Sequence, residues 1–114
     1  MINKLEVWKL AHEFTLDVYG IADQLPRKEM FGLVSQMKRS AASVPTNIIE
    51  GQARQYSKEF RQFLYIAKAS NAETRYHLYL SKDLGYISDE AYMECAQKSD
   101  RIAMMLNKLI ASLR

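Results

Sequence analysis

Residues 30–51 read MFGLVSQMKRSAASVPTNIIEG, and their spacing decides the fold class. Met30, Val34, Met37, Ala41, Val44 and Ile48 recur in alternating steps of four and three, which is one face of an α-helix. The period passes through Pro45 without a slip. One helix is therefore expected to run to about Glu50, kinked where Pro45 leaves the Ala41 carbonyl without its helical partner. Gly51 is the expected C-terminal stop.

The same stepping continues on both sides. Upstream, Val7, Ala11, Phe14, Val18, Ile21 and Leu25 predict a helix from about Leu5 to Leu25. Pro26 ends it and also suits the first turn of the next helix. Downstream, Ser57 is the expected N-cap of a third helix, with Glu59 in its first turn. Phe60, Phe63, Leu64, Ala67 and Leu78 line one side of it, and Gly85 closes it. Ser88 opens a fourth, followed by Asp89 and Glu90. Its inner stripe is Tyr92, Cys95 or Ala96, Ser99, Ile102 or Ala103, Leu106, Leu109 or Ile110, and Leu113. Only 4 Gly and 2 Pro occur in 114 residues, too few for a turn-rich β fold. Short loops between long helices force sequential neighbours to run antiparallel. The expectation is an all-α, up-down-up-down four-helix bundle, a single domain over residues 1–114.

Several function classes are disfavoured. Cys95 is the sole cysteine, which precludes an intrachain disulfide and a multi-cysteine zinc site. His12 and His77 lack the paired Glu-x-x-His spacing of bundle metal sites and read as surface or partly buried side chains. There is no glycine-rich phosphate loop and no nucleophile elbow. Cys95 falls on an inner stripe and reads as a small buried hydrophobe. The expectation is a protein without catalysis, metal or cofactor. The N-terminus has no apolar signal core, and no run approaches the roughly 20 residues that span a bilayer. A cytoplasmic protein that does not engage membranes is expected.

Net charge is +3, and the surplus sits in the middle of the chain. Residues 26–54 carry five basic and two acidic side chains, and residues 55–85 five and three. On the third helix Lys58, Arg61, Tyr65, Lys68, Ala72, Arg75, Tyr79 and Lys82 step in threes and fours. They cover an arc of about 120°, and the heptad-spaced Arg61, Lys68, Arg75 and Lys82 extend over roughly 30 Å. Cations interleaved with aromatic rings suit a phosphate backbone with accessible bases. A plain solvated face and an acidic protein partner are the competing readings of the same residues. Lys38, Arg39 and Arg54 extend the basic surface if the second helix packs beside the third.

Beside the core stripe of the third helix runs a second apolar strip, Ile66, Ala69, Leu80 and Leu84. With Trp8, Leu10 and Leu16 of the first helix, it exceeds what one bundle core requires. Surplus apolar surface marks an interface, and a homo-oligomer is expected.

Residues Phe31 to Gly51 resemble the signature of the four-helix bundle proteins encoded in intervening sequences of bacterial 23S rRNA genes, the S23-type proteins. That family includes the accessory protein of diversity-generating retroelements. Val7-Trp8-Lys9-Leu10-Ala11, Glu59-Phe60-Arg61-Gln62-Phe63-Leu64-Tyr65-Ile66-Ala67 and Leu84-Gly85-Tyr86-Ile87 add to the resemblance, which covers nearly the whole chain. Two departures are small: Lys38-Arg39 stands where the family commonly has two arginines, and Ala69 where it has glycine. The resemblance implies a barrel-like homopentamer with a positively charged surface. In the retroelement branch it implies binding of a reverse transcriptase and template RNA, RNA before DNA, with no catalysis of its own. The competing expectation is a protein-interaction scaffold that binds such a polymerase without touching nucleic acid.

Overall fold

The computed structural model describes residues 4–113, with the side chain of Leu5 excepted. Met1–Asn3 and Arg114, which the sequence places in the same domain, lie outside the described residues. Four helices carry the fold: α1 (Lys4–Ala22), α2 (Leu33–Gln52), α3 (Ser57–Asp83) and α4 (Asp89–Ser112), with a 3-10 turn at Arg27–Glu29. The described residues contain no strand. Each helix packs on two neighbours, α1 on α2 and α4, α3 on α2 and α4, and the diagonal pairs stay apart. Two contacts along each helix pair fix the directions: Thr15–Ala41 and Asp23–Lys38 for α1 and α2, Ser43–Ser70 and Ser40–Thr74 for α2 and α3, Arg61–Leu113 and Asn71–Ser99 for α3 and α4, and Asp17–Lys98 with the recess shared by Leu10 and Met105 for α1 and α4. All four pairings are antiparallel, as an up-down-up-down bundle requires.

The core is built from most of the stripe residues read from the sequence, with Phe63, Tyr92 and Leu113 only partly buried at its margin. Val7, Ala11, Phe14 and Val18 of α1, Met37, Ala41, Val44 and Ile48 of α2, Leu64 and Leu78 of α3, and Ile102 and Leu106 of α4 are fully buried. Removing these side chains from water is the main favourable term for a bundle of this size. A polar seam crosses the core. Thr74 Oγ1 donates to Ser40 Oγ (2.7 Å), Ser40 Oγ lies 3.4 Å from His77 Nδ1, and Ser70 Oγ donates to Ser43 Oγ (2.9 Å). Asn71 and Ser99 make a reciprocal pair, amide to carbonyl at 2.9 Å and hydroxyl to amide oxygen at 3.0 Å. His77 is thus buried, not at the surface.

Four boundaries depart from expectation. α2 begins at Leu33, after a 3-10 turn, so Met30 lies outside it and is exposed. Gly51 does not end α2; it is a buried helical residue, and a Cβ there would meet Phe63 Cβ at 2.7 Å and Phe60 Cδ1 at 2.8 Å. Its glycine serves a close helix approach, and α2 ends at Gln52. Tyr56, not Ser57, is the N-cap of α3, and no side chain caps it. α1 ends at Ala22, three residues before the buried Leu25.

Other ends follow the sequence. Ser88 Oγ accepts from the Ala91 N–H at 3.0 Å. Gly85 has φ +79°, the Tyr86 N–H bonds the Ser81 carbonyl and the Gly85 N–H bonds that of Lys82, which is a Schellman ending. α2 passes through Pro45 as one helix. No described helix is long and apolar enough to cross a membrane.

Candidate nucleic-acid interface

The heptad spacing of Arg61, Lys68, Arg75 and Lys82 puts these side chains on the flank of α3 that meets α4. Asn71 reaches Ser99 on that flank, while Ser70 and Thr74 face α2. The basic ridge is therefore one wall of the α3–α4 groove, and its two halves differ.

The half towards the C-terminus of α3 is engaged with the bundle. The Arg75 guanidinium bonds the Asp100 carboxylate and donates from Nε to the Tyr92 hydroxyl at 3.3 Å. The bond to Tyr92, reinforced by Asp100 against partial desolvation, pushes the Arg75 pKa above its ordinary value. Lys82 lies 4.5 Å above the Tyr79 ring and 5.1 Å above that of Tyr92, and pairs with Asp83 at 3.6 Å. Tyr79 and Tyr92 meet edge to face at 5.8 Å. Cations held this way bind α4 to α3 and have little left to offer a ligand.

The other half is open. Arg61, Tyr65 and Lys68 of α3 and Asn107, Ile110, Ala111 and Leu113 at the end of α4 line a cleft of about 440 Å³, with no acidic side chain among the described residues that line it. Tyr65 is 52% exposed, Lys58 and Lys68 are exposed, and Arg61 is half-buried, donating to the Leu113 carbonyl.

Lys38, Arg39 and Arg54 lie elsewhere. Lys38 turns to α1, 3.4 Å from Asp23 and 5.0 Å above the Tyr19 ring. Arg54 sits 4.7 Å above the Phe63 ring at the α2–α3 junction, and Arg39 is exposed on α2. The structure does not bring Lys38 or Arg54 onto the ridge. The apolar strip divides too: Ile66, Ala69 and Leu84 are exposed, whereas Leu80 packs against the core. On α1, Leu16 is 59% exposed, while Trp8 and Leu10 pack partly against the core. The Trp8 ring stacks on His12 at 5.3 Å, and its buried Nε1 has no hydrogen-bond partner among the described residues.

Residues 3–108 match the family described as 23S rRNA-intervening sequence protein. The chain belongs to that family. The crystal structure of a protein of unknown function from the S23 ribosomal protein family of Bacteroides thetaiotaomicron VPI-5482 resembles this 23S rRNA intervening-sequence protein with a TM-score of 0.88 and 28% identity. The match covers 95% of this chain and 97% of that one. No curated protein gives a significant match.

Two other features of this intervening-sequence protein bear on chemistry. The groove between α1 and α4, about 820 Å³, mixes Asp17 and Glu94 with Lys98 and Arg101, and the Lys98–Asp17 bond at 2.6 Å ties its walls together. That mixture of signs does not favour a polyanion. Cys95 at its base is buried, and burial pushes its thiol up to about 11, far from a reactive thiolate. No group of three or more His, Cys, Asp or Glu side chains suited to a metal ion occurs among the described residues. Of the α4 residues that complete the cleft, Ile110 is legible only as an alternative on the inner stripe, and Asn107 carries no sequence signal of its own, since it merely follows the core residue Leu106.

Proposed function

We propose that this protein is a non-catalytic homo-oligomer, a pentamer on its family resemblance, that binds nucleic acid, RNA before DNA, through the open half of the α3 ridge. The observation that carries the reading is the cleft in which Arg61 and Lys68 flank Tyr65, with no acidic side chain among its described lining residues. Neutralising phosphates releases counterions, so affinity must fall with salt. Filter binding of structured and single-stranded RNA across a salt series tests the reading. Three phosphate contacts by Lys58, Arg61 and Lys68 give a log–log slope of about −2 or steeper on a single strand. A slope near zero overturns it. Lys58→Glu with Lys68→Glu is expected to abolish binding, and both exposed positions tolerate the change in the fold.

A second reading draws on the exposed Ile66, Leu84 and Leu16: a scaffold for a protein partner such as a reverse transcriptase, as in the retroelement branch. A partner that survives nuclease treatment in a pull-down supports it, and loss of every partner after nuclease removes it.

A further inference from the structure

We infer that the cleft between the ends of α3 and α4 is a site for one unpaired nucleotide of an RNA strand. In it the base stacks on Tyr65, the flanking phosphates lie against Arg61 and Lys68, and the Asn107 amide faces the base edge. The inference rests on the nucleic-acid reading above and narrows it from a charged surface to a seat for an extruded base.

Three observations carry it. The first is shape. A cleft of about 440 Å³ with two walls matches the size of small-ligand sites, whereas a ridge that merely follows a phosphate backbone needs no recess. A paired duplex keeps its bases stacked inside and presents only backbone to a recess of this kind.

The second is the contrast between two tyrosines on one helix face. Tyr79 is already occupied, with Lys82 over its face and Tyr92 against it. Tyr65, fourteen residues earlier on the same ridge, is 52% exposed and makes no ring contact among the described residues. An unstacked, half-exposed ring between two cations is the usual platform for an unpaired base.

The third is the chemistry of the walls. Arg61 and Lys68 stand four residues before and three after Tyr65, which places both on its helix face, one towards each end of the ring. The Arg61 guanidinium is anchored by the Leu113 carbonyl, and a guanidinium has five donors, so its remaining N–H groups are held in place for a phosphate. From α4 come the apolar Ile110 and the amide of Asn107, whose donor and acceptor together can read a base edge. Among the described residues, no acidic side chain lines the cleft to repel the phosphates or occupy the cations.

The test uses the full chain and fluorescence anisotropy with labelled hexauridylate and hexaadenylate, competed by an RNA duplex of the same length and by uridine monophosphate. Tyr65→Ala is expected to weaken single-strand binding about five- to a hundredfold, and Tyr65→Phe to retain it. Asn107→Ala is expected to change the preference between the two oligomers while leaving the salt slope unchanged. Lys68→Gln is expected to make the slope shallower by about 0.7. The duplex and the mononucleotide are expected to compete poorly. If the oligomers bind with a steep salt slope but Tyr65→Ala is silent, or the duplex competes equally, the seat for an unpaired base is wrong and the charged-surface reading stands. If uridine monophosphate binds as tightly as the oligomer, the site takes free nucleotides and the strand assignment fails. If no RNA binds at any salt, both readings fall together. Circular dichroism of Tyr65→Ala, an exposed position, separates lost binding from lost folding.

Discussion

Pro45 lacks the N–H that would bond the Ala41 carbonyl, and the substitute comes from another helix. Thr15 Oγ1 lies 3.1 Å from Ala41 O and 2.8 Å from Ala11 O, so one hydroxyl of α1 serves its own turn and the gap in α2. Thr15→Val keeps the volume and removes the donor, leaving a carbonyl unsatisfied in the α1–α2 contact. The expected cost is about 1–3 kcal/mol in a urea melt. Pro45→Ala restores the helical N–H to Ala41, so in that background Thr15→Val is expected to cost less than half as much. Equal costs in the two backgrounds would show that the hydroxyl does not act on Ala41. A second residue-scale effect comes from His77. Burial in the seam, only partly opposed by Glu73 at 3.8 Å, holds its pKa below the ordinary 6.5. The unfolded chain then takes up a proton at a pH where the folded chain stays neutral. Stability is intact above 6.5 and declines as pH falls from there towards the lower folded value. Thermal melts from pH 7.5 to 5 are expected to show a shallower decline for His77→Gln than for the parent; parallel declines would remove His77 as the cause.

At the scale of elements, two glycines in helices have opposite meanings. Gly51 lies where α2 meets the start of α3, and an added methyl would press on Phe63 Cβ and, at 3.2 Å, on the Phe60 carbonyl, neither of which is a flexible tip. Gly51→Ala is expected to lower stability by about 1–3 kcal/mol, although alanine is the better helix former. Gly20, in α1, has nothing within 4 Å of a built Cβ, so Gly20→Ala is expected to raise stability by about 0.5–1 kcal/mol. Denaturant midpoints of the two variants should move in opposite directions; a shift of the same sign would contradict the packing at Gly51. The pair also marks how far the sequence could be read. The α1 and α4 stripes, the Ser88 cap and the Gly85 ending were legible because their cause is local: hydrophobic period, side-chain capping, positive φ. Gly51 reads as a stop in the sequence because a glycine closing an amphipathic run usually is one, whereas its cause here is two aromatic residues on the next helix. Met30 fits the helical period by number, yet the 3-10 turn and Gly32 intervene. Asn71, Thr74 and Ser81 gave no warning of burial, since a polar residue is legible as a core residue only once its partner is known.

For the whole molecule, the basic ridge was legible as a spacing, but which half is open was not, because α4 decides it. Asp100 and Tyr92 close the end at Arg75 and Lys82, while Asn107 and Ile110 leave a recess at Arg61 and Lys68. A single site with one stacked base and a few phosphates binds weakly, whereas several copies in a closed ring hold one strand at several points. The second contact then becomes intramolecular, and avidity gains of about 10²- to 10⁴-fold are available without any new interaction. On the proposed assembly, Ile66 and Leu16, 48% and 59% exposed in one copy, meet neighbouring copies. Ile66→Glu places a charge in that contact at a position where a single copy leaves it in water. Native mass spectrometry is expected to show the parent as a multiple of 13.2 kDa and Ile66→Glu as the monomer, with unchanged helical circular dichroism. The monomer is then expected to lose most of its affinity for a long strand while keeping its affinity for hexauridylate, since the cleft itself is untouched. A parent that stays at 13.2 kDa across concentrations removes the assembly. A monomeric variant that binds long RNA as well as the parent shows instead that the clefts work singly.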